Sequence, residues 1–283
     1  MAGFKNIRQY VDAMNNGQTS FCSFRKVPSQ ASTARRWVDL SMAAGNPLPN
    51  YYASSPLVAA TLDGNRGVFH GADKSPQNKY LAEWGIMTPT TALTGPYNLL
   101  DYLIYYPFID LDDTDVQTMD NTVTLPRYTS GDGVRAMFVC VAPTTGGGSG
   151  VFEYVNQDGV TRSGIAFSLP TTASTIAQLL TQPATASATA APFLPLYPGD
   201  TGIRSITSLQ LSTPGGGLGC IVLVRPIATN VVYEISNMSE KEFVSTVPGC
   251  PKIEDGAYLN MIMNCAATVA GGQVAGFCRF VWN

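Results

Sequence analysis

Residues 99–128 read LLDYLIYYPFIDLDDTDVQTMDNTVTLPRY and contain the sharpest chemical contrast in the chain. The apolar, aromatic first part ends at Pro107, and helical spacing within it is shared by Leu99, Leu100, Leu103 and Tyr106. Pro96 suits the first turn of such a helix, and apolar residues all round it indicate burial on more than one side. Five aspartates then follow within eleven positions: Asp110, Asp112, Asp113, Asp115 and Asp120. The stretch therefore predicts a buried helix that leads into an acidic surface loop.

The sequence on either side of this stretch predicts mostly strands. One amphipathic helix is predicted near the start, from the helical spacing of Phe4, Ile7, Val11 and Met14. Residues 21–27 are strand-like, and after Val134 short apolar runs alternate with turn signals. Asn156-Gln157-Asp158-Gly159, between the runs 151–155 and 160–169, predicts a hairpin. We predict a mainly β (α+β) fold with an N-terminal arm and short-helix region, including the acidic loop, at 1–125. An antiparallel β-sandwich or jelly-roll-like domain is predicted at 126–283.

Three further predictions concern short segments. Ser239-Glu240-Lys241-Glu242 has the pattern of a capping box and predicts a helical turn. The runs 258–269 and 274–282 predict a closing hairpin about Gly271–Gly272. Low-complexity Ala/Thr sequence at 181–191 predicts a surface loop.

The chain carries little charge, and its charge is unevenly distributed. Charged residues make up 13% of the chain, about half the usual share of roughly 25%. Interface cores are depleted in charge, which favours a surface largely covered by other subunits; a monomer with a neutral polar surface is the alternative.

The net charge differs between segments of the chain: residues 1–80 carry +5, residues 81–130 carry −6 and the remainder carries −2. Such asymmetry can pair within one chain or between subunits. A nucleic-acid binder would need a concentrated basic stripe, so we expect no nucleic-acid partner.

The cysteines and the hydropathy pattern indicate in which cellular compartment the chain folds. The six cysteines have no CxxC spacing, which argues against a zinc site or a disulfide framework. Several lie inside apolar strand-like runs, where a thiol is a small apolar side chain: Cys140, Cys220, Cys265 and Cys278. We expect reduced thiols in a protein made in a cytoplasm. We also expect no signal peptide and no membrane span, because no sufficiently long apolar run occurs.

The aspartates of 110–120 are the best candidates for a chemical site. Asp110, Asp112 and Thr114 have the spacing of the start of an EF-hand loop, but Asp115 stands where that loop needs glycine and Asn121 where it needs glutamate. An EF-hand is therefore excluded, while a looser calcium site and a solvated or intersubunit acidic loop stay open. Paired carboxylates also serve glycoside hydrolysis, but nothing in the sequence indicates a raised pKa or a sugar platform.

Other catalytic patterns are weak. His70 is the only histidine, so catalysis by a nucleophile, a histidine and an acid would require it; a structural histidine is the favoured interpretation. The glycine-rich segments Gly146–Gly148 and Gly215–Gly217 lack the Lys-Ser/Thr of a phosphate loop and predict turns. Three turns also precede strands that begin with an arginine (Arg135, Arg162 and Arg204), which could bind the acidic loop or a neighbouring subunit. We predict no enzyme activity and no catalytic, cofactor-binding or metal-binding residues.

Longer segments carry a family resemblance. YYPFIDLDDTDVQTMDNTVTLPRYTSGDGVRAM begins at Tyr105, and it is followed by EYVNQDGVTRSG from Glu153, FLPLYPGDTGIRSI from Phe193 and IEDGAYLNMIM from Ile253. Together with GFKNIRQYVDAMNNGQ from Gly3, these segments resemble a family of tailed-bacteriophage virion structural proteins of similar length, and the similarity runs nearly end to end. They are not chemical motifs. The resemblance therefore implies a particle component, an auxiliary capsid (decoration or cement) protein, and no active site.

Resemblance and composition together lead to one functional expectation. We expect a homo-oligomer, a trimer, that binds the major capsid protein of a phage head through buried area and matched charge. It would assemble in the bacterial host cytoplasm and reside in the virion. Two alternatives stay open: a tail, baseplate or host-glycan-binding virion protein, and an enzyme built on the aspartates of 110–120.

Overall fold

The segment predicted as a buried helix is a strand in the computed structural model. It forms the middle of β6 (Gly95–Asp110), which pairs with β13 (Leu218–Val232) over almost its whole length. Periodicity alone cannot separate a fully buried strand from a buried helix. Residue types decide for the strand, because aromatic and β-branched side chains dominate: Tyr97, Tyr102, Ile104, Tyr105, Tyr106 and Ile109. The helix prediction is therefore wrong.

The structure describes residues 4, 6–28, 34–62, 66–181, 192–245, 249–268 and 271–283. Within these residues there is one α-helix, α1 (Ile7–Asn15), and there are short 3-10 helices at Leu40–Met42 and Thr91–Leu93. None of these helices is long and apolar enough to cross a membrane. The other strands are β1 (Thr19–Val27), β2 (Trp37–Asp39), β3 (Ala44–Asn46), β4 (Ala60–Thr61), β5 (Lys79–Met87), β7 (Gln117–Thr118), β8 (Arg135–Ala142), β9 (Ser149–Asn156), β10 (Thr161–Ser163), β11 (Phe167–Ser168), β12 (Ile203–Leu211), β14 (Ser239–Glu242), β15 (Lys252–Ile253), β16 (Leu259–Asn264) and β17 (Val274–Trp282).

The described strands pair in antiparallel fashion throughout and build three sheets. Sheet 1 has the order β14-β5-β17-β1-β3, with β15 beside β5. Sheet 2 has the order β10-β9-β12-β7, with β11 beside β9, and sheet 3 has the order β2-β16-β6-β13-β8, with β4 beside β6. The prediction of a mainly β, antiparallel fold is confirmed, with three sheets rather than the two of a sandwich.

Sheet 3 is the middle layer, and its residues alternate between two apolar cores. Val222 of β13 belongs to the core that sheet 3 shares with sheet 1, where it joins residues such as Trp84. Its neighbour Ile221 belongs to the core shared with sheet 2, where it joins residues such as Phe152. Burial on both faces explains why the strands of sheet 3 are apolar at nearly every position.

Strand pairs join the segments 1–125 and 126–283 in every sheet. In sheet 1 β1 pairs with β17, in sheet 2 β7 pairs with β12, and in sheet 3 β6 pairs with β13. Each sheet therefore needs strands from both sides of the predicted domain boundary.

The helix predicted near the start is confirmed as α1, but its packing face differs from the predicted one. Ala13 is buried against Tyr80, Ala82 and Val281 of sheet 1, and Phe4, Tyr10 and Met14 pack around this contact. Ile7 and Val11, from the predicted apolar face, are instead 63% and 46% exposed.

Among the short segments, one prediction is confirmed and two are wrong. The hairpin at 156–159 joins β9 to β10. Residues 239–242 form β14, at the edge of sheet 1, instead of a helical turn. The predicted closing hairpin does not form, because β16 belongs to sheet 3 and β17 to sheet 1. The predicted loop at 181–191 lies, apart from Thr181, outside the described residues.

Candidate functional site

The acidic loop is exposed, and its carboxylates bind their own backbone. The N–H of Asp112 donates to Asp110 Oδ1 at 2.9 Å, and the N–H of Asp115 donates to Asp113 Oδ1 at 2.8 Å. The side-chain amide of Gln117 closes the loop on Asp110, accepting from its N–H at 2.9 Å and donating to its carbonyl at 2.7 Å. These are Asx-type turns, which fix the backbone locally.

The fifth aspartate is held apart from this loop. The backbone N–H of Asp120 donates to the carbonyl of Leu57 at 2.9 Å, and its carbonyl accepts from the N–H of Ala59 at 2.8 Å. No group of three or more His, Cys, Asp or Glu side chains is placed to hold a metal ion in the part of the chain that the structure describes. The aspartates therefore act, in these contacts, as loop-forming residues.

His70 is buried and uses both ring nitrogens inside the fold. Nε2 lies 2.9 Å from the carbonyl oxygen of Ala257, and Nδ1 lies 2.9 Å from Nζ of Lys79. A lysine ammonium only donates, so Nδ1 accepts and Nε2–H donates. Burial, assisted by the charge of Lys79, lowers the pKa of His70 and favours this neutral form.

A buried carboxylate, Asp39, is the centre of a polar cluster that the sequence did not indicate. Its Oδ1 accepts from the N–H of Ser41 at 2.8 Å and from the hydroxyl of Tyr102 at 2.7 Å. Its Oδ2 accepts from the hydroxyl of Ser41 at 2.7 Å and from the hydroxyl of Tyr52. Burial raises the pKa of Asp39, and these hydrogen bonds oppose that rise. Four donors occupy the carboxylate, which gives it a structural role.

Lys26 lies close to this cluster and is also fully buried. Its Nζ donates to the carbonyls of Ala43 at 3.0 Å and Pro47 at 2.7 Å. Burial lowers the pKa of Lys26 to about 8, and the charge of Asp39 opposes the shift. Strand alternation is the signal that could have located it, because every second residue of β1 points inward and Lys26 continues the series begun by Cys22.

A cavity of about 240 Å³ lies beside the cluster, with Asp39, Phe108 and Val141 in its wall. Phe108 has a φ of 56°, in the left-handed region that bulky residues rarely adopt, where the pairing of β6 with β13 shifts register. The volume is below the roughly 300–1,000 Å³ typical of small-molecule pockets. The cavity therefore provides room for one or two small apolar groups.

The solvent-facing side of sheet 1 carries an exposed aromatic pair. Phe21 of β1 and Phe277 of β17 stack with their ring centroids 5.1 Å apart, and Phe21 is 61% exposed. Gly85 of β5 lies directly beneath, since a Cβ at this position would stand 2.4 Å from the ring of Phe277. We call this surface, formed by Phe21, Phe277, Arg25, Glu240 and Glu242, the aromatic face.

Charge changes sign across the aromatic face. Register places Glu240 opposite Gly85 and Glu242 opposite Glu83, on the strand that ends the sheet. Arg25 stands on the other side of the aromatic pair and donates to the side chain of Gln273 at 2.6 Å. Arg279, the register partner of Phe21, lies on the same face and pairs with Glu83 at 3.3 Å. An aromatic pair bordered by charged groups of both signs is typical of a protein contact surface.

Two of the arginines at strand starts, Arg162 and Arg204, contact segments that neighbour their own turns. Arg204 donates to the carbonyls of Ser130 at 3.1 Å and Gln157 at 2.5 Å. The guanidinium of Arg162 lies over the ring of Tyr197 at 5.1 Å. For these two residues the hydrogen-bond and ring contacts are made to Ser130, Gln157 and Tyr197 of the same chain.

None of the comparisons with known proteins places the chain in a family. No family model matches the chain, and no curated protein matches it. Two solved chains match weakly. One is from the structure of infectious bursal disease virus Gt strain, with 10% identity over 93% of this chain and 81% of that chain and a TM-score of 0.16. The other is from the Gx strain, with 11% identity over 94% and 81% and a TM-score of 0.16. A likeness this weak carries no argument about function.

Proposed function

We propose that the protein is a structural component of a tailed-phage virion, a decoration (cement) protein that works by binding and has no catalytic role. The observation that carries the proposal is the aromatic face, where an exposed Phe21 stacks on a partly exposed Phe277 in a chain of unusually low charge. Exposed apolar patches with polar surroundings mark protein contact sites. The resemblance of the segments from Tyr105, Glu153, Phe193 and Ile253 to phage virion proteins supports the same class of role.

The partners proposed are the major capsid protein and further copies of this chain in a homotrimer. The exposed stripe of α1, Ile7 and Val11, gives a second apolar surface next to the sheet that carries the aromatic face. Two separate apolar surfaces allow one contact to the shell and one to a neighbouring subunit. The acidic and basic sides of the aromatic face would set the register of such a contact.

Binding of this kind stabilises a shell without any reaction. A ligand that binds the assembled shell and not its separate subunits shifts the equilibrium toward the assembled form. The host cytoplasm is the proposed place of assembly, where the buried thiols stay reduced.

A reconstruction of the virion tests the proposal. We expect density for this chain on the head, repeated with the symmetry of the shell and grouped in threes. Density on the tail or baseplate alone would contradict the head assignment and support the tail alternative. A purified chain that sediments as a single copy and never binds isolated heads would contradict the binding role itself.

A further inference from the structure

Two cysteines face each other across the β1–β17 ladder. Cys22 and Cys278 are register partners, and both side chains lie in the core between sheets 1 and 3, with exposures of 8% and 0%. Directly opposed residues of an antiparallel pair have Cα atoms about 4.5–5.5 Å apart. This separation falls within the roughly 4.4–6.8 Å that a disulfide spans. The register of β1 with β17 therefore allows a disulfide between these two positions.

The two thiols differ in chemistry. The thiol of Cys278 donates a hydrogen bond to the sulfur of Cys22, which lowers the pKa of Cys22 against the effect of burial. Burial raises the pKa of Cys278 well above its usual value. Burial likewise raises the pKa of Cys140 to about 12 and that of Cys250 to about 11. Cys22 is also the more exposed of the two, at 8% against 0%, so the first oxidation is assigned to its sulfur.

We propose that Cys22 and Cys278 form a redox site that hydrogen peroxide converts into a cross-strand disulfide. The sulfur of Cys22 attacks one peroxide oxygen, the O–O bond breaks, and the released hydroxide takes the proton of Cys22 to give water and a sulfenic acid. The sulfur of Cys278 then attacks the sulfur of Cys22. The S–O bond breaks, and the leaving hydroxide takes the proton of Cys278 as a second water. Two thiols are oxidised and one peroxide is reduced.

The product would join strands that lie near opposite ends of the sequence. A link between positions 22 and 278 closes a loop that includes nearly the whole chain, and long closed loops give the larger stabilisation in the chain-entropy model. The proposal does not depend on the proposed function. For a protein made in a reducing cytoplasm and later exposed to peroxide, the link would form after folding.

Peptide mapping of the peroxide-treated full chain tests the site. We expect a loss of about 2 Da, one peptide pair joined through Cys22 and Cys278, a higher urea midpoint, and reversal of all three by dithiothreitol. The Cys140→Ser variant is the control and should oxidise like the wild type. The Cys278→Ser variant should instead give a sulfenic acid at Cys22 that dimedone traps.

Two results would overturn the proposal. One is a treated wild type in which the Cys22 and Cys278 peptides stay unlinked while other cysteines oxidise. The other is an equal rate of oxidation at all six cysteines. Both readouts use the wild-type protein, so they stand even if a cysteine variant fails to fold.

Discussion

Arg127 holds the buried carboxylate of Asp101 through two parallel hydrogen bonds, from Nε to Oδ2 at 2.8 Å and from a terminal guanidinium nitrogen to Oδ1 at 2.6 Å. Asp101 is fully buried in β6, and its Oδ1 also accepts from the N–H of Tyr258 at 2.9 Å. The fork geometry of arginine matches a carboxylate, which makes this the strongest type of ion pair. This ion pair links Arg127, in the segment that follows the acidic loop, to β6 of sheet 3.

Replacing Arg127 by methionine should destabilise the protein by about 3–5 kcal/mol at neutral pH, because it leaves a buried carboxylate without its counter-charge. Urea unfolding measures the change. The exposed pair Lys252–Glu254, at 2.8 Å, gives the matched control, and Lys252→Met should cost less than about 1 kcal/mol. Equal effects of the two substitutions would contradict this account of the buried pair.

Lys26→Met should reveal a pH-dependent contribution of the buried lysine. Below pH 8 the lysine is protonated in both states, so the folded protein carries the full cost of the buried charge. Between pH 8 and 10.5 the folded state releases the proton first, so stability rises with pH. From about pH 7.5 to about pH 9.5 the free energy of unfolding of the wild type should rise by roughly 1–2 kcal/mol relative to the variant. Denaturant titrations at each pH test this, and a constant difference would argue that Lys26 keeps an ordinary pKa.

Gly276→Ala should destabilise sheet 1 more than Gly85→Ala does. A Cβ at Gly276 would stand 2.0 Å from the backbone carbonyl oxygen of Gly85, which cannot move without breaking the ladder. A Cβ at Gly85 would meet the ring of Phe277, which is partly exposed and can turn aside. We expect about 2–3 kcal/mol for Gly276→Ala and about 1 kcal/mol for Gly85→Ala, read from thermal or urea unfolding. The reverse order would show that the backbone approach is looser than described.

Phe21→Glu should abolish association with phage heads or with other subunits while the fold stays intact. The substitution removes the exposed ring and adds a charge beside Phe277, and stability should fall by only about 0.5–1.5 kcal/mol, because the position is 61% exposed and the main loss is the stacking contact. Co-sedimentation with heads measures binding, and circular dichroism checks the fold. Val160→Glu, which alters a 45% exposed apolar residue in the hairpin between β9 and β10 of sheet 2, is the control and should bind as the wild type does. Unchanged binding by Phe21→Glu would exclude this face as the contact.

The class of fold could be predicted from the sequence, whereas the layering could not. Turn residues such as those at 156–159 act locally, so the hairpin there was predictable. The run 99–106 was not, because a strand buried on both faces lacks the alternation that identifies strands. The prediction of a helical turn at Ser239–Glu242 failed because the local capping pattern is weaker than the strand pairing of these residues with β5. The buried charges Asp39 and Asp101 depend on contacts distant in sequence, which no single stretch contains.

The position of β17 between β5 and β1 has a consequence for synthesis on the ribosome. The early strands β1 and β5 do not pair with each other; both hydrogen-bond to β17, which is translated after every other strand that the structure describes. Sheet 1 therefore cannot close on the nascent chain until residues 274–282 have left the exit tunnel. Non-local pairing of this kind slows folding and leaves unpaired strand edges open to contacts with other molecules in the meantime. A polypeptide truncated before Val274 should accordingly accumulate as insoluble material.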